Sequence, residues 1–324
     1  MTNTRRQFLQ QLALTPALMA WAAHAAPAAR RVRFGLIADV HQDVMPDAVE
    51  RIRAFTAAMT KAQADFIIHL GDFCQPQPRN QAFLAAWNSF AGARHHVLGN
   101  HDMDGGFTPA QTAAFYGMPA PYYAFATGPV RDLVLSGNDP GGTAKGYKRF
   151  IGAEQLAWLE RELAQAAQPV FIFIHQPLDT GAGIENSAAV RAVLEKSAAK
   201  IIAVFSGHFH EDYERVVQGV RHIQINSASY VWLTGPAVRE TFPPEVHKAQ
   251  PYLKHCAVYR EPLFALATLD LDRGTLVIEG RRTDWIGPDP WQRGASEKDY
   301  PRERTRPAIS GRQFQLTPPA GSAR

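Results

Sequence analysis

The chain has 324 residues, 46% of them hydrophobic and 20% charged, the make-up of an ordinary globular protein with enough apolar mass for one large core or two modest ones. Its 34 basic and 30 acidic residues give a formal charge of +4, scattered apart from an Arg-rich end, so charge alone makes no case for a nucleic-acid partner. Only Cys74 and Cys256 are present, which excludes a disulfide framework and leaves two unpaired thiols as the expectation.

The first segment, TNTRRQFLQQLALTPALMAWAAHAA, couples Arg5 and Arg6 to Phe8, Leu9, a modest apolar run and a small-residue end. It resembles a twin-arginine export signal, with cleavage after Ala25. Thr15 and Pro16 interrupt the apolar run, which falls short of the roughly 20 residues a membrane span needs, so no stable span is expected after cleavage. Cleavage would remove two arginines and no acid. The resemblance implies the export machinery as a partner, folding and metal loading before export, and a periplasmic or secreted product.

From Arg31 the pattern alternates between strand and helix. RVRFGLIAD reads as a buried strand. Val49, Ile52, Phe55 and Met59 recur at helical spacing after Pro46 and predict a helix over 46–62. DFIIHLGD is the next strand, then a helix near 80–90, then the strand of RHHVLGN. YYAFAT and VRDLVLS are strand-like, Leu156, Leu159 and Leu163 mark a helix over 153–167, and PVFIFIH and KIIAVFSGHFH are further strands. Two antiparallel hairpins follow, turning at Gly219 and at Asp272–Gly274. One domain is expected over 31–290. The stretch 295–324, rich in Arg, Pro, Gly and Ser, has no periodicity and is expected as a surface or disordered tail.

Five strand ends close with metal-type ligands: Asp39 and His41, Asp72, Asn100 with His101 and Asp102, His175, and His208 with His210. In open α/β sheets ligands bind outside the carboxyl ends of the strands, where these residues fall. Carboxylate, imidazole and amide oxygens suit borderline divalent ions such as Mn, Fe, Zn or Co. A single such motif is commonplace, and His69 inside IIHLGD reads as a hydrogen-bonded core histidine; five motifs in this order are hard to explain by structural duty alone.

The ordered set D-x-H, G-D, G-N-H-D, H and G-H-x-H resembles the calcineurin-like metallophosphoesterases over about residues 33–225. That resemblance implies an α/β fold, a four-layer α/β/β/α sandwich of two mixed sheets flanked by helices, with two divalent metal ions at one edge. It assigns Asp39, His41, Asp72 and His210 to one metal and Asp72, Asn100, His175 and His208 to the other. Asp72 bridges, and His101 stands near the scissile phosphate, with Asp102 or Asp104 as its candidate orienting group. The implied reaction is attack of metal-bound hydroxide on a small phosphomonoester or phosphodiester.

Where purple acid phosphatases of the same superfamily carry a tyrosine three residues after the bridging aspartate, this chain has Gln75, which argues against an iron-tyrosinate. Phe107, Tyr116, Tyr122, Tyr230 and Trp232 read either as core or as a stacking wall for a nucleobase. Lys145, Lys148 and Arg149 read chiefly as an exposed basic turn. Two rival readings are a nuclease of the same superfamily, disfavoured by the scattered charge, and a silent binding module of the same fold, which has no use for the full ligand set.

Overall fold

A computed structural model describes residues 30–316; the export-signal segment and the last eight residues lie outside the described residues. In chain order the elements are β1 (Arg31–Ile37), α1 (Ala48–Lys61), β2 (Phe66–His69), α2 (Gln81–Asn88), β3 (Ala93–His96) and α3 (Pro109–Tyr116). Then come β4 (Tyr123–Thr127), β5 (Val130–Val134), α4 (Ala153–Gln165), β6 (Val170–Phe173), α5 (Ser187–Glu195), β7 (Ile201–Ser206), β8 (Tyr213–Val217) and β9 (Val220–Gln224). The remainder is β10 (Tyr230–Trp232), α6 (Pro244–Ala249), β11 (Cys256–Tyr259), β12 (Ala265–Asp270), β13 (Thr275–Glu279), β14 (Arg281–Arg282), β15 (Trp285–Ile286), β16 (Ala308–Ile309) and β17 (Arg312–Gln315).

Two six-stranded sheets carry the fold. The first runs β17-β13-β12-β1-β2-β3, parallel across β1, β2 and β3 and antiparallel elsewhere. The second runs β4-β5-β6-β7-β9-β8, parallel from β5 through β6 and β7 to β9 and antiparallel at both edges. Strands buried on both faces read as unbroken apolar runs, and β1 shows why: Phe34 and Leu36 enter the core between the sheets while Ile37 enters the core under the helices. Between the sheets the phenyl rings interlock, with Phe34 stacked on Phe66 at 4.9 Å and edge-on to Phe171 and Phe205. Helix α1 covers the outer face of the first sheet through Ile52, Phe55 and Met59. Gly35 admits this approach, since a Cβ there would lie 2.5 Å from the Met59 sulfur. Helices α4 and α5 cover the second sheet through Leu159, Leu163, Val190 and Leu194. The four-layer α/β/β/α sandwich expected from the motifs is therefore the observed architecture, and the predicted helices and strands appear with ends moved by one to a few residues.

The chain beyond residue 295, expected as a peripheral tail, contributes to the domain as far as Gln315. β16 pairs with β14, and β17 adds an edge strand to the first sheet, with Leu276 opposite Phe314. Its anchor is Asp212, whose buried carboxylate accepts from Arg312 Nη2 at 2.7 Å, from the Ser310 backbone N–H at 3.0 Å and from the Ser310 hydroxyl. Composition hid this strand, because RQFQ is short and its one apolar ring lies under a guanidinium, Arg221, centred 4.0 Å from Phe314. Cys74 and Cys256 are both buried free thiols. No helix of the described residues is long and apolar enough to cross a membrane.

Removing Asp212 leaves the half-buried Arg312 and the more exposed Arg306 without their buried carboxylate, so Asp212→Ala is expected to lower unfolding stability by about 2 kcal/mol, read from the urea midpoint. A midpoint shift worth less than about 1 kcal/mol would mean that the C-terminal strand is held by its ladder alone.

Candidate metal centre

The parallel strands β1, β2 and β3 of one sheet and β6 and β7 of the other end at the same edge of the sandwich, and their loops converge. Asp39 and His41 leave β1, Asp72 leaves β2, Asn100 and His101 follow β3, His175 follows β6, and His208 and His210 follow β7. The ligand atoms gather in two groups, Asp39 with His41 and His210, and Asp72 with His175 and His208, each group within 4.8 Å of itself. Asp72 links them: its Oδ2 lies 3.2 Å from His175 Nε2 and 3.7 Å from His41 Nε2.

The backbone is bent to achieve this. Of seven non-glycine residues with positive φ among the described residues, five are Asp39, His41, Asp72, His208 and His210, with φ between 51° and 80°. Such left-handed conformations cost on the order of 1 kcal/mol each for residues with a Cβ, and concentration of that cost in one place marks a functional constraint. Glycines supply the clearance. A Cβ on Gly99 would lie 2.1 Å from the Asp72 backbone nitrogen, and one on Gly207 would lie 2.6 Å from an Asp39 oxygen.

Hydrogen bonds aim the ligands. Leu70 O can only accept, so His175 Nδ1 carries the proton it shares with that carbonyl at 2.7 Å, and Nε2 turns to Asp72. Likewise His210 Nδ1–H donates to Tyr230 O at 2.8 Å, leaving Nε2 facing His41 Nε2 at 3.3 Å. This is the carbonyl-backed histidine arrangement that fixes the tautomer of metal ligands. Asp72 Oδ1 accepts the His101 N–H at 2.8 Å, and the Asp39 carboxylate accepts the His208 N–H at 3.0 Å. Asn100 Oδ1 is buried and has no hydrogen-bond partner. An orphaned amide oxygen beside two groups of inward-turned nitrogen and carboxylate donors fits a pair of borderline divalent cations.

Burial and the neighbouring carboxylates divide the imidazoles of the cluster into weakly and strongly basic ones. Burial holds His41 well below the usual imidazole range and His208 down to about 3. Burial also disfavours charge on His175, yet the adjacent Asp72 carboxylate outweighs it and pushes this imidazole up to about 9.

His101 is brought to the mouth of the same site. Its Nδ1 meets Asp104 Oδ2 at 2.8 Å and the Tyr147 hydroxyl at 3.0 Å, while Tyr147 donates to Asp104 Oδ1 at 2.9 Å. Burial lowers its basicity, but Asp72 and Asp104 reverse this and the imidazole ends above its ordinary value. Of the two aspartates weighed as its orienting group, Asp104 makes the contact. Asp102 is wholly buried and instead braces the loops, accepting Phe73 N–H at 2.6 Å and Gly99 N–H at 2.8 Å. Burial and the neighbouring Asp72 push it up to about 8.

A cleft of about 740 Å³ opens over these residues, lined also by Asp43, Gln75, Tyr147, Phe209, Tyr230, Trp232 and Tyr252. Sequence reading missed Tyr147, because its loop GGTAKGYKRF drew attention to its basic residues. Arg149 of that loop instead binds backbone carbonyls of residues 181–183. Tyr116 is core, donating to Cys74 O, and Tyr122 packs against Trp158. His69 is a core histidine, paired with His96 at 2.6 Å and stacked on Phe73.

A model of the family described as Calcineurin-like phosphoesterase matches residues 32–212, the span that holds every ligand named above. No curated protein matches the sequence. Among solved structures the chain is similar to a dimetal phosphatase from Danio rerio, at 17% identity and TM-score 0.57 over 80% of this chain and 99% of that one. It is similar also to GAP50, the anchor in the inner membrane complex of Plasmodium, at 13% identity and TM-score 0.54 over 89% of each chain. A third likeness is to a purple acid phosphatase from yellow lupin, Lupinus luteus, at 14% identity and TM-score 0.52 over 84% of this chain and 56% of that one. At these identities the three likenesses speak for the shared fold, and the family match over more than half the sequence speaks for membership: the chain belongs to the calcineurin-like phosphoesterase family and is a metal-dependent phosphoric ester hydrolase.

Proposed function

We propose that Asp39, His41, Asp72 and His210 hold one divalent ion and Asp72, Asn100, His175 and His208 a second, and that the cleft above them hydrolyses a small phosphomonoester or phosphodiester. The observation that carries this reading is the division of the ligand atoms into two groups, each within 4.8 Å, joined through Asp72. When bound, such a pair of ions supplies Lewis acidity towards phosphoryl oxygens and a nucleophile at neutral pH. The chain's own residues do the rest. Asp72 Oδ1 ties the His101 backbone to the ligand cluster, which keeps that imidazole in register with the reacting ester. The Asp104 carboxylate holds His101 Nδ1–H, leaving Nε2 to donate a proton to the departing alkoxide. Tyr147 closes the same triangle from the opposite loop. A duplex or single strand fits less well than a small ester, because the carboxyl groups of Asp43 and Asp104 line the approach.

We propose also that the protein acts outside the cytoplasm after twin-arginine-type export. The support is Arg5-Arg6 followed by the short interrupted apolar run and the Ala-rich end.

Asp72→Ala is expected to lose both bound ions by elemental analysis and to reduce hydrolysis of bis-p-nitrophenyl phosphate to background; a variant that keeps full turnover would sink the assignment. His101→Ala should keep both ions and slow turnover by about a hundredfold, most severely for esters with poor leaving groups. Loss of metal in that variant would make His101 a ligand and not the proton donor. Changing Arg5 and Arg6 together to Lys should hold a folded, metal-loaded precursor inside the cell, and unchanged periplasmic activity would reject the export route.

A further inference from the structure

Four large hydrophobic side chains stand exposed among the described residues, and three of them, Tyr147, Trp232 and Tyr252, surround the one cleft over the ligand cluster. Solvated aromatic rings are costly to keep at a single place unless something covers them. They are also connected to the site. Tyr230 lies on His41 and His210, at ring separations of 5.1 and 5.0 Å; Trp232 follows Tyr230 at 6.2 Å, and Tyr252 follows Trp232 at 6.4 Å. Exposure rises along this series from 1% at Tyr230 through 36% at Trp232 to 59% at Tyr252. The series begins at two ligand imidazoles and ends at solvent, which is the path a substituent of the bound ester would take.

Trp232 is held rigidly for this purpose. It sits on β10 opposite Cys256 of β11, and one of its faces is occupied by His255, stacked at 4.6 Å and nearly parallel. What remains of its surface borders the cleft and also the adjoining hollow lined by Tyr213 and Tyr300. A flat group laid there meets a preformed indole with little ordering cost. Charge narrows the choice further. Asp43, Asp72 and Asp104 bring carboxyl groups to the cleft and among the described residues no lysine or arginine lines it, while Arg215 and Arg304 line the adjoining hollow that shares Trp232 and His210. Asp43 is already bound by Arg79 at 2.9 Å, so it neither attracts nor needs a ligand cation. An ester bringing one negative charge is matched at the ligand cluster, whereas a run of phosphates would meet no lysine or arginine among the described residues lining this cleft.

We propose that Trp232 and Tyr252 form a stacking subsite for a planar aromatic arm of the nucleobase class, and that the substrate is a singly charged phosphodiester carrying that arm. This rests on the phosphoesterase reading above and specifies its substrate class.

The test compares two diesters with the same leaving group and charge, the p-nitrophenyl ester of thymidine 5′-phosphate and methyl p-nitrophenyl phosphate, on metal-loaded protein. The wild type should favour the thymidine ester in kcat/KM. Trp232→Ala should lower kcat/KM for it by about tenfold, the lower range of base–aromatic stacking, and alter the methyl ester by less than about twofold; Trp232→Phe should restore most of the loss. Binding of a thymidine phosphonate, with the scissile oxygen replaced by methylene, should weaken by a like factor in Trp232→Ala at unchanged metal content. Equal losses on both esters, or phosphonate binding indifferent to Trp232, would overturn the subsite. If wild type cleaves neither ester yet its phosphonate affinity still depends on Trp232, the subsite stands and the hydrolytic reading falls.

Discussion

The interaction on which the rest depends is the joining of two sheets at one edge through the side chains that form the site. The Asp39 carboxylate from the first sheet accepts the His208 N–H of the second, and His175 from the second donates to Leu70 O of the first. Each bond would be ordinary in a loop. Here each crosses the seam of the sandwich, so the ligand cluster and the sheet–sheet packing share the same geometry. Behind the seam, the Phe34, Phe171 and Phe205 rings set the spacing of the layers, and in front of it Gly99 and Gly207 let the loops touch. A one-residue register slip in a strand that feeds the site would turn its core side chains to the opposite face and displace the loop that follows it.

The same seam explains the charge pattern. Two carboxylates, an amide oxygen and three imidazoles are buried together with the half-buried His208, a costly grouping for a protein unless positive charge is admitted. Burial disfavours charge on His175, the imidazole nearest the linking carboxylate, yet Asp72 holds its basicity above the ordinary imidazole value. The carbonyls of Leu70 and Tyr230 have already settled which ring nitrogens face inward. The orientation of these candidate ligands is therefore a property of the fold itself, as preorganised sites require.

Much of this was legible in the sequence for a simple reason: a buried parallel strand is an apolar run, and a polar cluster directly after it must lie at the sheet's carboxyl edge. That logic reaches Asp39, His41, Asp72, Asn100, His175, His208 and His210. It stops at loops, whose geometry no periodicity records. Asp102 and Asp104 are equally spaced candidates around His101, and only the turn Asn100–Asp104 decides that one braces the backbone while the other meets the imidazole. Tyr147 comes from a glycine-rich loop of the other sheet and Tyr252 from the turn before β11, which carry no strong pattern of their own, whereas Trp232 stands among the aromatic candidates of the sequence with nothing there to tell wall from core. The edge strand β17 was obscured by its polar composition, since its hold on the domain is partly ionic.

The left-handed backbone at five ligand positions has a consequence for how this chain can change. Glycine, asparagine and aspartate are the residues at ease with positive φ, and alanine or a branched residue is not. A descendant released from its chemical duty would therefore not drift at random at positions 39, 41, 72, 208 and 210. Replacement by glycine would relieve the backbone and replacement by asparagine would keep a tolerated conformation, both leaving the sheets intact, so relatives that have abandoned hydrolysis for binding should carry glycine or asparagine there on an otherwise undisturbed sandwich.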